Sequence, residues 1–578
     1  MTVLVNDPAD FAEEQLEGFV ELYADRLRGV PGGVVAHHAG DPIVAVVVGG
    51  GSGHYPAFAG LVGPGFAAGA VVGNIFTSPS AAHVYSVAKA ADQGRGVILT
   101  FGNYAGDVMN FGIAAERLRR EGIDTRIVLV TDDVASSPDE ELRRGVAGDF
   151  TVFKAMGAAA AEGMTLDDVE RVGRAANDAT RSMGVAFGGC TLPGAQNPLF
   201  DVARDTMSVG LGIHGEPGIQ DVARASAREV AEALMSGIVA DRPVRPGDRL
   251  AVVVNGLGAT KYEELFLLWR EVSALLRGAG AVIVEPEVGE LVTSLDMGAC
   301  SLTLFWLDDE QERLWRADAY APGYRKLAAP VRALRPRQGG AADDAALVAP
   351  DASDAARALA DLVRAALATA RDTLHEHAAY LGDIDAVAGD GDHGRGMVRG
   401  IDAAVAAVAD AAGGGAWLLK QAGRAWAAHA GGTSGVLWGA GLEAAAEALG
   451  DDRDSYDTTA ALDAIRAFAD AIVQLGGAQP GDKTIVDALV PAVDALADAV
   501  ATGVPAADCW QRAADASERA AASSAALLPK KGRARPLAAR SEGTPDPGAV
   551  SFSLIARALT VRALTVSEPG DRYAEEKK

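Results

Sequence analysis

Cysteine is scarce in this chain: three in 578 residues, Cys190, Cys300 and Cys509, far apart and in no metal-binding spacing. That excludes a disulfide scaffold and suits a reducing compartment. Positive charge is in deficit as well. Lys and Arg number 52 against 78 Asp and Glu, a formal net charge of −26, which sets nucleic acid and anionic membranes aside as partners. An anionic substrate must then be recruited locally, by metal, backbone N–H groups and a few arginines. No apolar run reaches the length that spans a bilayer, and the stretch Met1 to Pro8 lacks the basic opening and apolar core of a signal peptide. Aromatic residues make up only 6% of the chain and apolar ones 49%, an Ala/Val/Gly-rich globular composition. The expectation is a soluble cytoplasmic protein with roughly three or four core-forming units, at about 150 residues each.

What is present begins with Gly389 to Gly394, Gly-Asp-Gly-Asp-His-Gly, with Asp385 just upstream. Glycines beside Asp390 and Asp392 let the backbone bring the carboxylates together. Converging carboxylates with no lysine close by call for a hard cation, and oxygen-only ligands suit Mg²⁺. After Gly394 the spacing of Met397, Ile401, Val405 and Val408 predicts a helix. Its N-terminus faces the same loop and favours phosphate. Metal and phosphate at one turn point to a nucleotide. The residues beyond lack the further oxygen ligands and closing Glu of an EF-hand.

The first half of the chain alternates. Phe11 to Arg28 reads as a helix, with Leu16, Phe19, Val20, Tyr23 and Leu27 on one stripe. Short apolar runs at Ile43–Val48, Val97–Phe101, Ile127–Val130, Leu250–Val254 and Val282–Val284 read as strands, with helical stretches such as Ile113–Arg120 and Glu229–Met235 between them. That alternation predicts a mainly parallel sheet covered on both faces, with ligands beyond the C-terminal ends of its strands. Two turns sit there: Gly49 to Pro56, a phosphate loop or a tight structural turn, and Asn103 to Asp107. From about Ala328 to Ser353 the pattern lapses into Pro, Arg, Gly, Ala and Asp, a linker. Beyond it Ala-rich amphipathic blocks, Ala355–Leu374, Thr458–Leu475 and Ile485–Ala501, predict an all-α domain.

Other motifs are open to two readings each. His214, in Gly-Ile-His-Gly-Glu-Pro-Gly, is an exposed histidine in a rigid turn, a nucleophile or a satisfied polar group. Thr433 and Ser434 cap a helix or cradle phosphate. The Lys530–Arg535 cluster is a solvated face or a nucleotide lid, and Asp546-Pro547-Gly548 a turn. The pairs His37/His38 and His375/His377 lack metal-binding context.

Together these segments are recognisable. GGGSGHYP (49–56), GNYAGDVMNF (102–111), GIHGEPG (212–218), VTSLDM (292–297), GDGDHG (389–394), GGTSG (431–435), GDKT (481–484), KKGRA (530–534) and DPGA (546–549) occur in that order. The chain resembles the ATP-dependent dihydroxyacetone kinase family over nearly its whole length.

The resemblance implies an α/β substrate domain of two α/β lobes at 1–328, a linker at 329–353, and an ATP/Mg²⁺-binding barrel of eight antiparallel helices at 354–578. It implies that His214 bonds covalently to a ketose carbonyl as a hemiaminal. A ketone accepts an imidazole nitrogen and glycerol does not, so capture sorts substrates. Asp107 matches the acid that takes the proton of the attacking hydroxyl, and His54 the assisting histidine. Gly50, Gly51, Ser52 and Gly53 match backbone contacts to substrate. Asp385, Asp390 and Asp392 match the Mg²⁺ carboxylates. Gly391, His393, Gly394, Thr433, Ser434, Gly481, Arg533, Asp546, Pro547 and Gly548 fall in the nucleotide site. The chemistry is in-line phosphoryl transfer, with the domains closing on each other for transfer and a homodimer as the common assembly.

Two departures adjoin the substrate pocket: Tyr55 stands where the family usually has Glu, and Gly102 where it has Lys. Losing the lysine removes a charge and opens space, which favours a four-carbon ketose, erythrulose, over dihydroxyacetone. Fusion of both domains on one chain favours free ATP over a phosphocarrier protein. A non-catalytic ketose-binding regulator and a lyase that cleaves FAD to a cyclic flavin nucleotide are the alternatives.

Overall fold

The computed structural model describes residues 3–38, 40–327, 349–531 and 535–566. The chain divides into two compact units, Met1–Gln338 and Gly339–Lys578. The expected linker lies largely outside the described residues.

The first unit is built on two sheets. One is six-stranded, from β1 (Leu27–Val30), β2 (Gly33–Ala36), β3 (Ala45–Ser52), β4 (Gly69–Ile75), β5 (Val97–Gly102) and β6 (Thr125–Val130), in the order β1-β2-β4-β3-β5-β6. The run β4-β3-β5-β6 is parallel, with Val48 opposite Thr100 and Gly102 opposite Val130. Its central residues are buried on both faces, Val46, Val47 and Val48 at 1% exposure or less, each contributing about 1.5–3 kcal/mol by leaving water.

The helix expected at Phe11–Arg28 stops at Leu22. Leu27 instead starts β1, because Pro31 and Gly32 turn the chain into an antiparallel hairpin with β2, and cross-strand pairing overrides the local stripe. The second sheet corrects a larger expectation. Its strands are β7 (Thr180–Ala186), β8 (Thr206–Val209), β9 (Gln220–Ala223), β10 (Arg249–Gly256), β11 (Val282–Ile283), β12 (Glu287–Gly289) and β13 (Ala299–Trp306). It is mostly antiparallel, since β13 inserts between β10 and β7 and runs against both. Periodicity reveals that a segment is a strand, not the direction of its partner.

The helix Gly148–Ala161, almost wholly buried, packs against strands of both sheets. Asp132 holds its start, accepting from Val146 N–H at 2.8 Å and Gly148 N–H at 2.7 Å.

Among the described residues the second unit contains eight α-helices, from Asp354–Ala386 to Pro547–Val566. Each packs on the next and the last returns to the first, closing a ring around an apolar core in which Trp426 and Trp438 stack at 4.9 Å. Up-down connection has a consequence: the N-termini of alternate helices, beginning at His393, Gly432, Val486 and Pro547, fall at one end. That end carries the positive poles of four helix dipoles. Among the described residues no helix is long and apolar enough to cross a membrane.

Candidate active site

In the first unit the predicted residues meet where both sheets end. His54 follows β3, Asp107 follows β5, and His214 lies between β8 and β9. The loop after β12 ties the group together: Leu295 N–H donates to Gly53 O at 2.8 Å and Thr293 N–H to His54 O at 3.2 Å. Thr293 O in turn lies 2.7 Å from His54 Nδ1. The Nε2 atoms of His54 and His214 are 3.1 Å apart, and His214 Nδ1 lies 3.0 Å from Glu216 Oε1. Phe76 stacks on His54, with its edge geometry presented to His214, both at 5.2 Å.

Burial, then the neighbouring His214, push the His54 imidazole down to about 3. Burial alone would raise Glu216, but the hydrogen bond and charge of His214 outweigh it and hold that carboxyl at about 2. His214 itself is half-buried rather than exposed.

Asp107 is not on a loop. The helix Ala105–Arg120 starts two residues earlier, so Asp107 sits in its first turn, where the dipole favours a carboxylate. It is buried, and Ser78 Oγ donates to its Oδ1 at 2.8 Å. Burial pushes this carboxyl up, and Ser78 and His214 offset that only in part. A carboxylate so placed is more basic than one in water and suited to accept a proton.

Gly102 does not leave a void. A Cβ there would press at 3.1 Å on both Gly145 O and the Tyr104 ring. The space expected from a missing lysine is taken by Tyr104, whose ring meets His214 edge-on at 4.9 Å. Tyr55 rests its half-exposed ring near Phe19 at 6.1 Å, so its side chain forms part of the outer surface.

In the second unit Asp385, Asp390 and Asp392 bring one oxygen each to within 4.8 Å of one another. Asp385 ends the first helix of the ring and Asp392 precedes the second, while Gly391 between the two loop acids takes a left-handed φ of 72°. Asp385 Oδ2 also accepts the His393 N–H at 3.3 Å. An all-carboxylate set open on one side fits Mg²⁺, which keeps part of its water or phosphate shell.

The three acids border a cavity of about 350 Å³, which His393, Thr433, Ser434, Asp546, Pro547 and Gly548 also line. Gly391, Gly394 and Gly481 lie beside it rather than on its wall, and Arg533 lies outside the described residues. Asp546 is a helix N-cap, accepting from Ala549 N–H at 2.8 Å. Burial and nearby Asp487 push its carboxyl up to about 7, against the Ala549 bond and Lys483.

Sequence reasoning passed over several residues that the structure brings in. Glu216 and Thr293 are visible only as parts of quoted motifs; Ser78 comes from a loop with no chemical signal of its own. Lys483 lines the same cavity and donates to Leu527 O, Ser541 O and Ser541 Oγ at 3.0, 2.7 and 3.1 Å.

Known proteins match this arrangement along the whole chain. The Dak1 domain matches residues 17–323 and the DAK2 domain residues 387–561. A D-erythrulose kinase of Mycolicibacterium smegmatis is 53% identical, covering 99% of this chain and 100% of that protein. An L-erythrulose kinase of Pectobacterium atrosepticum is 52% identical, covering 97% of this chain and 96% of that protein. Among solved structures, the dihydroxyacetone kinase from C. freundii in complex with AMP-PNP and Mg²⁺ aligns with a TM-score of 0.56 at 28% identity, covering 97% of this chain and 99% of that one. With a substrate-type α/β unit and a helical unit of this kind joined in one polypeptide, the chain belongs to the dihydroxyacetone kinase family.

Proposed function

We propose that the chain is an ATP-dependent kinase that phosphorylates a terminal hydroxyl of a short-chain ketose, with erythrulose as substrate, held as a hemiaminal on His214. The observation that carries this reading is the line Thr293–His54–His214–Glu216, which leaves a histidine Nε2 beside a second imidazole with Asp107 nearby. Full-length identity to erythrulose kinases of both hands supports the four-carbon sugar over dihydroxyacetone.

His214 Nε2 captures the carbonyl and fixes the sugar. Asp107 accepts the proton of the hydroxyl that attacks the γ-phosphate, its basicity raised by burial. His54 assists at the carbonyl, and the backbone of Gly50 to Gly53 borders the sugar. Asp385, Asp390 and Asp392 would hold Mg²⁺, which would neutralise phosphate charge. Thr433 and Ser434 and the converging helix N-termini receive the phosphates, and Asp546 to Gly548 border the nucleoside end. Gly481 and Arg533 belong to the same reading as nucleotide contacts. ATP as donor fits a cytoplasmic enzyme, and we assign it a homodimeric assembly, which sedimentation would test.

The direct test is ATP-dependent turnover by the purified protein with Mg²⁺ on D-erythrulose, L-erythrulose, dihydroxyacetone and glycerol. Turnover of an erythrulose with higher kcat/KM than dihydroxyacetone, and none of glycerol, is expected. Equal or better efficiency on dihydroxyacetone would remove the tetrulose assignment, and no ketose turnover would remove the kinase.

A further inference from the structure

The end of β5 and the loop that leads into the buried helix Gly148–Ala161 are pressed together a few residues before Asp107. Asn103 Nδ2 donates to Glu141 O at 3.0 Å and to Arg143 O at 2.8 Å, which holds the loop against the strand end. The contact itself is glycine on glycine, since a Cβ on Gly145 would collide with Gly102 Cα. Two polar side chains border this pair. A Cβ on Gly102 would press on the Tyr104 ring, and one on Gly145 would stand 3.2 Å from Asp149 Oδ1. Because the Tyr104 ring also meets His214 edge-on, this corner belongs to the wall of the site that holds His214 and Asp107.

Both side chains carry a buried polar atom that nothing satisfies. Asp149 is 3% exposed, and neither its Oδ1 nor the Tyr104 hydroxyl has a hydrogen-bond partner among the described residues. The donors that could serve Asp149 are engaged elsewhere. Asp132 takes the Val146 and Gly148 N–H groups at the helix start, while Arg143 pairs with Asp241 and Arg144 with Asp133. Asp149 is thus neither the cap of its helix nor half of an ion pair. Burial first, then the like charges of Asp132 and Asp107, push its carboxyl well above the usual range. Asp149 also bears on the Tyr104 phenol, which burial and Glu216 already push well above its ordinary value. Buried polar groups without partners are rare and costly, and each calls for an explanation. His54 and Asp107 are as enclosed, at 2% and 8% exposure, so polar groups in this closed wall are placed for a bound molecule and not for bulk water.

We propose that Asp149 is a specificity-determining residue that hydrogen-bonds the longer arm of a four-carbon ketose, with the Tyr104 hydroxyl as a second contact to that arm. The proposal rests on the reading that this site holds a ketose. Dihydroxyacetone has one hydroxyl-bearing carbon on each side of its carbonyl, whereas erythrulose has two on one side. The added carbon brings a hydroxyl that can donate to a carboxyl oxygen and accept from a phenol or a carboxylic O–H. A site built to pair a hydroxyl rejects the analogue that lacks it far more sharply than an apolar pocket rejects a missing methylene, because its own buried groups then stay unpaired. The glycine pair fits this role. With no side chain at 102 or 145, the helix start comes close enough to the end of β5 to bring Asp149 into the wall.

The test uses the full-length protein without nucleotide and measures ketose dissociation constants by NMR, with ¹³C at the carbonyl of each ketose. Erythrulose is compared with the analogue of the same carbon skeleton whose longer arm bears no hydroxyl. The unaltered protein is expected to bind erythrulose about tenfold or more tightly than the analogue. Asp149→Ala should weaken erythrulose by about that factor and change the analogue by less than about twofold, so that the two losses overlap instead of adding. Asp149→Asn, which keeps a donor and an acceptor, should recover part of the affinity. Tyr104→Phe keeps the ring against His214 and removes only the hydroxyl. It should act in the same direction by a smaller factor, and it decides the matter should Asp149→Ala not fold. With ATP and Mg²⁺ the loss should appear in KM for erythrulose, with KM for ATP unchanged. Equal weakening of erythrulose and the analogue by Asp149→Ala would mean that the residue only supports the fold, and would overturn the proposal. Erythrulose binding left intact in both variants would overturn it as well. Binding of no ketose by the unaltered protein would instead overturn the reading of the site itself.

Discussion

Replacing Asp107 by Asn separates the roles assigned to the two ends of the substrate site. Asn keeps the shape and its Oδ1 still accepts from Ser78, which now donates at 2.8 Å, so the helix start and the pocket wall persist. Only the basicity goes. A positioned general base contributes about 10²–10⁴-fold, or roughly 3–5.5 kcal/mol of barrier at about 1.4 kcal/mol per decade. Capture on His214 is unaffected, because Asp107 makes no hydrogen bond to either histidine among the described residues. The expected result is a fall in kcat of that size with ketose affinity unchanged.

Stability should move the other way. Burial raises the folded-state pKa of Asp107, so ionising it costs folding free energy; that cost is fully present above the folded pKa and absent below the unfolded one. Asn removes it, and Asp107→Asn should unfold at the same or a higher temperature at neutral pH, with the difference vanishing in acid. Steady-state kinetics, ¹³C-ketose binding and thermal unfolding on one preparation decide the matter. A variant that loses affinity as steeply as kcat, or that is destabilised at neutral pH, would refute the assignment of Asp107 as a base held in a desolvated site.

Mg²⁺ with ATP should raise the stability of the protein by about 2.7 kcal/mol at a hundredfold excess over Kd, and Asp390→Asn should abolish that gain in a thermal-shift measurement. Lys483→Met strips an ammonium from two carbonyls and a hydroxyl and is expected to destabilise the helical unit by about 2–4 kcal/mol in urea unfolding; a change under 1 kcal/mol, by the same scale, would mean water replaces it. His54 is held neutral down to about 3 against a usual 6.5, so folding stability is full above the unfolded value and declines as pH falls through that window. His54→Gln should flatten that decline in acid unfolding curves, and an unchanged slope would show that His54 is not the group concerned.

The sequence by itself determined the character of its most strongly patterned segments, because apolar period is a local property. The runs at Val97 and Leu250 became strands and the Ala-rich blocks became a helical ring. It also placed three acids close in the chain: Asp385 at the end of one helix and Asp390 and Asp392 in the loop that follows, so their convergence needs little more than the chain's own turn. It located His54, Asp107 and His214 through their motifs. Tertiary structure decided what those motifs do to one another. The antiparallel insertion of β13, the hairpin that ends the first helix at Leu22, and the four helix N-termini at one end of the ring all depend on pairings between distant segments. So does the site itself. Asp107 draws its basicity from burial, which the Ser78 hydrogen bond offsets only in part, and His214 is oriented by Glu216, whose carboxylate lies 3.7 Å from an arginine some seventy residues earlier in the chain. Gly102 shows the limit most plainly: read in the chain it promised empty space, but in the fold Tyr104 and Gly145 close around it. Local pattern fixes backbone conformation, whereas desolvation and packing are properties of the assembled interior.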